Sequence, residues 1–238
     1  MLVTGATGGL GQILAHAIAG TGATVVLHGR VVRKLEALYD ALLAKGAPEP
    51  AILPLDFDTA DAPAYAAAAA ALEHQLGRLD AIVHCAAMLR RLAPFEHHTL
   101  EDWMSVLRVN VAAPASLTRA LLPMLRRAPS ARVIFTLDSR GHEPKAYWGS
   151  YAAAKAALEA LVQVLADEWE TTDNLTVTGV IPGPIASPLR RRTHPGADAA
   201  ASRPMESLLP LYLELLGPDS RQYRGRIVDA QAWPASGA

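Results

Sequence analysis

The chain has 238 residues, 51% of them apolar, 19% charged and 5% aromatic, with a net charge of −1. That length can bury a core without disulfide or metal staples, and the single cysteine, Cys85, excludes an intramolecular disulfide framework. Balanced charge excludes a global basic field for nucleic acid or anionic lipid, and the apolar content excludes intrinsic disorder.

The N-terminus, Met1-Leu2-Val3-Thr4-Gly5, lacks the basic and apolar regions of a signal segment. The Ala-rich run Ala62–Leu72 is broken by Pro63 and is too short to span a bilayer. A cytoplasmic protein with neither membrane nor nucleic-acid partners is the expectation.

Met1–Thr4 reads as a strand that ends in a glycine-rich turn, and Gln12–Ile18 carries helical spacing. This strand is short, as expected if the natural chain starts upstream of Met1. Ala23–Leu27 reads as a second strand, Val31–Lys45 as an amphipathic helix stopped by Gly46, and Ala51–Leu55 as a third strand. The Ala-rich helix follows, then a strand at Asp80–Cys85 and a long helical region at Leu100–Leu125 with Pro114 inside it. Arg132–Leu137, Leu175–Ile181 and Arg226–Asp229 read as three more strands, with a helix over Tyr151–Glu170. Alternation of this kind predicts an α/β fold: a Rossmann-like, doubly wound parallel sheet of about seven strands with helices on both faces. No linker or repeat divides residues 1–238, so one dinucleotide-binding domain is expected. Pro182–Pro210, rich in proline and carrying Arg190-Arg191-Arg192, reads as an exposed irregular segment, with a substrate loop or lid over 187–210.

Thr4-Gly5-Ala6-Thr7-Gly8-Gly9-Leu10-Gly11 lies between a predicted strand and a predicted helix. Glycines there allow a tight turn, let backbone approach a pyrophosphate, and aim free helix N-terminal N–H groups at it. With Tyr151-Ala152-Ala153-Ala154-Lys155, Arg108-Val109-Asn110-Val111 and Pro182-Gly183-Pro184-Ile185, in this order, the chain resembles the short-chain dehydrogenase/reductase family over nearly its whole length. Gly8 makes the loop equally compatible with the longer epimerase-like branch, whose extra substrate domain 238 residues cannot house.

Tyr151 and Lys155, four apart on a helix, share one face, and an ammonium beside a phenol tunes it for proton transfer. The resemblance implies that Tyr151 passes a proton to or from a carbonyl oxygen. It implies that Lys155 also holds the nicotinamide ribose, and that Asn110 anchors a water leading to Lys155. The family's serine, 13 residues before the tyrosine, corresponds to Asp138; either Ser139 shifts into that role or Asp138 occupies the place. An ionised Asp138 there would repel a developing alkoxide. A second departure is Cys85-Ala86-Ala87, where the family has Asn-Ala-Gly.

The resemblance further implies cofactor contacts from Gly5, Thr7, Gly9, Leu10, Gly11, Ala86, Tyr151, Lys155 and Ile185. After the second strand Gly29 stands where NAD-binding members carry an acid, and Arg30, with Arg33 nearby, offers a guanidinium to a 2′-phosphate. NADP(H) is therefore favoured over NAD(H). Asp56 matches the family residue that contacts the adenine amino group, or else is a turn or cap aspartate. No histidine has metal-ligand spacing, so no metal is expected. The implied activity is hydride transfer to or from a small-molecule carbonyl/alcohol pair; the alternative is a catalytically weak dinucleotide-binding sensor or scaffold. Apolar residues spread widely around Leu100–Leu125 and Tyr151–Glu170 predict a homodimer or homotetramer.

Overall fold

The computed structural model describes residues 1–172, 174–196, 198 and 202–233. Its strands are β1 (Leu2–Thr4), β2 (Val26–Gly29), β3 (Ala51–Pro54), β4 (Ala81–His84), β5 (Ala131–Thr136), β6 (Leu175–Ile181) and β7 (Ile227–Asp229). They pair in parallel throughout, in the order β3-β2-β1-β4-β5-β6-β7.

The period-two alternation of a strand divides the core into two layers. Leu2 lies level with Val26 and Ile82, and Ile82 with Val133; all four are buried on one face. There they pack with α3 (Ala62–Leu76), α5 (Ala113–Arg126) and α6 (Gly149–Glu168). One residue on, Val3, Leu27, Val83 and Ile134 face the other way. That layer is covered by α1 (Gly9–Gly20), α2 (Val32–Leu43) and α8 (Leu209–Leu216). Because both faces are covered, the central strands β1 and β4 are buried at every residue and read as apolar runs.

Three expectations are corrected. The second strand runs from Val26 rather than Ala23, and it continues through His28 and Gly29, which pair with Leu53 and Pro54. The helical region Leu100–Leu125 is split into α4 (Leu100–Leu107), a π-turn at Arg108–Ala112, and α5. Pro114, within the first turn of α5, has no N–H to continue the ladder, and Ala113 N–H bonds to the Arg108 carbonyl five residues back. The described residues of Pro182–Pro210 are more regular than their proline content suggests. They hold α7 (Pro188–Thr193), a parallel bridge between Ile185 and Arg203, and a 3₁₀ turn at Met205–Leu208 leading into α8. The expected loop at 187–210 includes Ala197 and Ala199–Ala201, and the expected domain includes 234–238, which lie outside the described residues.

β1 connects outward to β2, and the chain returns to place β4 on the other side of β1. Loops therefore diverge at the carboxyl ends of β1 and β4 and open a crevice. No helix among the described residues is long and apolar enough to cross a membrane.

Candidate active site

That crevice is a cavity of about 1190 Å³ above the carboxyl ends of the strands. Its lining brings together most of the residues singled out above: Gly5, Thr7, Gly9, Leu10, Arg30, Asp56, Ala86, Asp138, Ser139, Tyr151, Lys155 and Ile185. Gly11 and Asn110 are not in the lining but lie behind it, each with a structural task.

The glycine loop is shaped by backbone contact. Gly5 adopts φ +64°, and a Cβ at Gly11 would stand 2.2 Å from the Gly5 carbonyl oxygen. Only hydrogen fits at Gly11, so α1 seats directly under the turn. Gly8 caps α1 with no side-chain bond, and Gly9 and Leu10 of the first turn, whose N–H groups have no intrahelical partner, line the cavity. The turn is held from below by His28, whose Nδ1 accepts from Gly5 N–H at 3.3 Å, and from the side by Thr4. Thr4 Oγ1 accepts from Cys85 N–H at 3.1 Å and Ala86 N–H at 3.2 Å, tying β1 to the loop after β4. Neither role was anticipated, although Thr4 belongs to the motif itself. His28 stacks on Phe57 with ring centroids 4.2 Å apart, and burial lowers its pKa to about 4. It is neutral at physiological pH and can accept that hydrogen bond.

β2 ends at Gly29, where no carboxylate stands, and the exposed Arg30 follows at the cavity edge. Arg33 is exposed on α2 and does not line the cavity. Asp56 lines it, and its Oδ1 also accepts from Asp58 N–H at 3.0 Å. The cap of α3 is Asp61 instead.

Tyr151 and Lys155 project from the first turns of α6 into the opposite end, 3% and 2% exposed. Lys155 Nζ donates to the Thr136 carbonyl at 2.8 Å and lies 5.6 Å from the Tyr151 ring centroid. Burial lowers the Lys155 pKa, against the attraction of Asp138 and Cys85, which raises it. The Tyr151 hydroxyl donates to Asp138 Oδ2 at 3.1 Å. Of the two candidates for the serine position, it is therefore Asp138 that meets Tyr151; Ser139 lines the cavity at the start of the 3₁₀ turn Ser139–Gly141. Burial, the Asp138 charge and that hydrogen bond together hold the Tyr151 pKa well above its usual value. The phenol is protonated at neutral pH, a donor form.

Asn110 sits in the π-turn, 1% exposed. Its Oδ1 accepts from Met88 N–H at 3.0 Å, and Nδ2 donates to the carbonyls of Met88 at 2.7 Å and Val106 at 2.8 Å. The side chain thus fixes the loop after β4 as a wall of the cavity. Cys85, in the position of the family's asparagine, lies 3.5 Å from Thr136 Oγ1, and burial pushes its pKa up to about 11. That shift favours the neutral thiol over the thiolate.

The cavity is thus lined by the glycine turn and by the buried Tyr151–Lys155 pair. Comparison with known proteins identifies the family. The model of the short chain dehydrogenase family matches residues 1–198. The oxidoreductase YciK of Escherichia coli is 36% identical over 97% of this chain and 91% of its own. A short chain dehydrogenase structure from Pseudomonas syringae superposes with a TM-score of 0.93 at 40% identity, covering 97% and 93% of the two chains. Another from Escherichia coli, complexed with NADPH, does so with a TM-score of 0.92 at 36% identity, covering 97% and 95%. The chain belongs to the short-chain dehydrogenase/reductase family.

Proposed function

We propose that the chain is an NADP(H)-dependent oxidoreductase that moves a hydride between the nicotinamide and a small-molecule carbonyl/alcohol pair. The observation that carries the reading is the buried Tyr151–Lys155 pair at one end of a cavity whose other end is the glycine cradle. The residues present fit a dinucleotide: a Cβ is excluded where Gly5 and Gly11 meet, and unpaired N–H groups end α1. When bound, NADP(H) supplies or accepts the hydride.

Gly5, Thr7, Gly9 and Leu10 would hold the pyrophosphate, Arg30 the 2′-phosphate, Asp56 the adenine edge, and Ala86 and Ile185 the nicotinamide side. The absence of an acid at Gly29 and the NADPH complex of the Escherichia coli relative both support NADP(H). Tyr151, held protonated, gives its proton to the substrate oxygen as charge develops there. Lys155, with Nζ beside the phenol ring, would stabilise the phenolate that remains when it carries its proton, and would hold the nicotinamide ribose. Asn110 positions the wall through Met88, and Ser139 is in reach of substrate at the rim. The loop at 187–210 acts as the substrate lid: Pro188 and Met205 already lie against Gly9. The reading further includes a cytoplasmic homo-oligomer of single-domain chains.

The carboxylate of Asp138 beside Tyr151 favours a second reading, a weakly catalytic dinucleotide sensor. Oxidation of NADPH against a carbonyl panel separates the two. Turnover supports the enzyme, and tight NADPH binding without any turnover supports the sensor.

A further inference from the structure

Asp138 is a half-buried carboxylate facing the cavity beside the proton donor, and among the described residues it forms no salt bridge. Oδ2 accepts from Tyr151 and Oδ1 from the Arg140 backbone N–H at 3.0 Å, but no Lys, Arg or His among the described residues ion-pairs with it. The nearby cations place their hydrogen bonds on other groups, and Asp138 acts on Lys155 only through its charge, which raises the lysine's pKa. Lys155 donates to the Thr136 carbonyl, the Arg140 guanidinium to the Glu143 carbonyl and over the Trp148 ring, Arg190 to Ser202, and Arg192 to the Leu89 carbonyl. Burial, Arg190 and Arg140 lower the His194 pKa, against the Asp138 charge, which raises it. An anion with spare lone pairs at this spot is complementary to an N–H-bearing cation.

We propose that the site also reduces C=N bonds in their protonated form, and that it prefers such imines to ketones. This rests on the oxidoreductase reading above and names the acceptor it favours. A ketone develops negative charge on oxygen beside Asp138 as the hydride adds, which an ionised carboxylate opposes. A protonated imine begins with its positive charge on the C=N–H unit, so the same carboxylate accepts its N–H and holds it beside Tyr151. The imine carbon accepts the hydride, the π pair moves onto nitrogen, and the cation becomes a neutral amine. The hydride comes from NADPH and the proton is already on nitrogen. Tyr151 supplies that proton when the imine arrives neutral and regains one from solvent afterwards. The rings of Trp148 and Tyr151, with centroids 5.7 Å apart, give the cation an aromatic flank.

The test pairs the cyclic imines 1-pyrroline and 3,4-dihydroisoquinoline with the ketones cyclopentanone and 2-tetralone, using NADPH and the whole chain. Wild type is expected to show kcat/KM for the imines about tenfold or more above that for the ketones, the worth of one hydrogen bond to a charged group. Asp138→Asn and Asp138→Ser are expected to reverse the order. A readout without turnover is the affinity of the NADPH-loaded protein for benzamidinium, an unreactive C=N–H cation. It is expected to fall about tenfold or more in Asp138→Asn, with benzamide unaffected. Preference for ketones in wild type, or equal benzamidinium affinity in Asp138→Asn, would overturn the imine assignment and leave the oxidoreductase reading standing. Full activity of Tyr151→Phe on every acceptor would overturn that underlying reading instead.

Discussion

Tyr151 is the residue on which the chemistry turns. Tyr151→Phe keeps the ring that packs against Trp148 and removes only the hydroxyl. Carbonyl turnover should fall by about 10²–10⁴-fold, the usual worth of a general acid, while NADPH affinity stays within about twofold. Stopped-flow hydride transfer and fluorescence titration would measure the two. Arg30→Glu places a carboxylate at the exposed cavity edge where a 2′-phosphate is expected. The ratio of kcat/KM for NADPH over NADH should fall by at least about tenfold. An unchanged ratio would mean that the phosphate is held elsewhere. The buried histidines carry a separate signature. Burial lowers the pKa of His28 to about 4 and of His84 to about 3, from an ordinary 6.5, so both are neutral in the native state. Below pH 6.5 the unfolded chain binds protons that the folded chain refuses, so stability declines as pH falls toward those values. Each histidine contributes a slope of up to about 1.4 kcal/mol per pH unit in that window, and none above it. Urea midpoints at pH 7 and pH 5 should show the decline; flat stability would contradict neutral burial.

At the scale of elements, what the sequence made legible is what local chemistry dictates. Apolar runs mark most of the central strands β1, β4 and β5, because a parallel sheet covered on both faces buries successive residues, whereas β6 interleaves Thr176 and Thr178. The glycine loop is legible because Gly5 and Gly11 answer to a steric rule. Gly11→Ala would drive a Cβ to 2.2 Å from the Gly5 carbonyl oxygen, which is backbone and cannot swing aside. A loss of about 1–3 kcal/mol and weakened NADPH binding are expected, read from thermal unfolding with and without cofactor. The elements that escaped detection depend on partners distant in sequence. His28 and Gly29 are poor strand formers, yet β3 supplies their ladder. α8 lies in an apolar stretch after a proline-rich segment, and its Leu211, Tyr212 and Leu215 are buried by α1 and β5, far away in the chain. The motif placed a residue at the serine position, but only the fold shows which oxygen meets Tyr151. Asp138 does so because it caps the 3₁₀ turn through Arg140 N–H, which turns the other carboxylate oxygen inward.

At the scale of the molecule, the sheet consumes only one face of α5 and α6. Leu117, Leu121, Leu125, Leu158 and Val162 are buried in the core, whereas Ala153, Ala156, Ala160 and Val164 of α6 lie outward, Val164 half exposed. Leu100 and Met104 extend this apolar surface along α4, which packs beside α6, with exposures of 78% and 49%. Alanines on an exposed helix favour helix formation by themselves, but Leu100, Met104 and Val164 gain nothing from water. Small residues on α6 also allow a second helix to approach closely. Two copies related by a two-fold axis would cover this face with itself, the commonest closed assembly. The expected state is thus a dimer, or a tetramer of such dimers, by light scattering after size exclusion at micromolar concentration. Ala156→Arg and Val164→Glu place charge at the middle of that face without touching the sheet core. Both should shift the mass toward one chain, while the far-ultraviolet circular dichroism of the folded protein persists. A wild-type mass of one chain would refute the interface, as would variants that remain fully assembled.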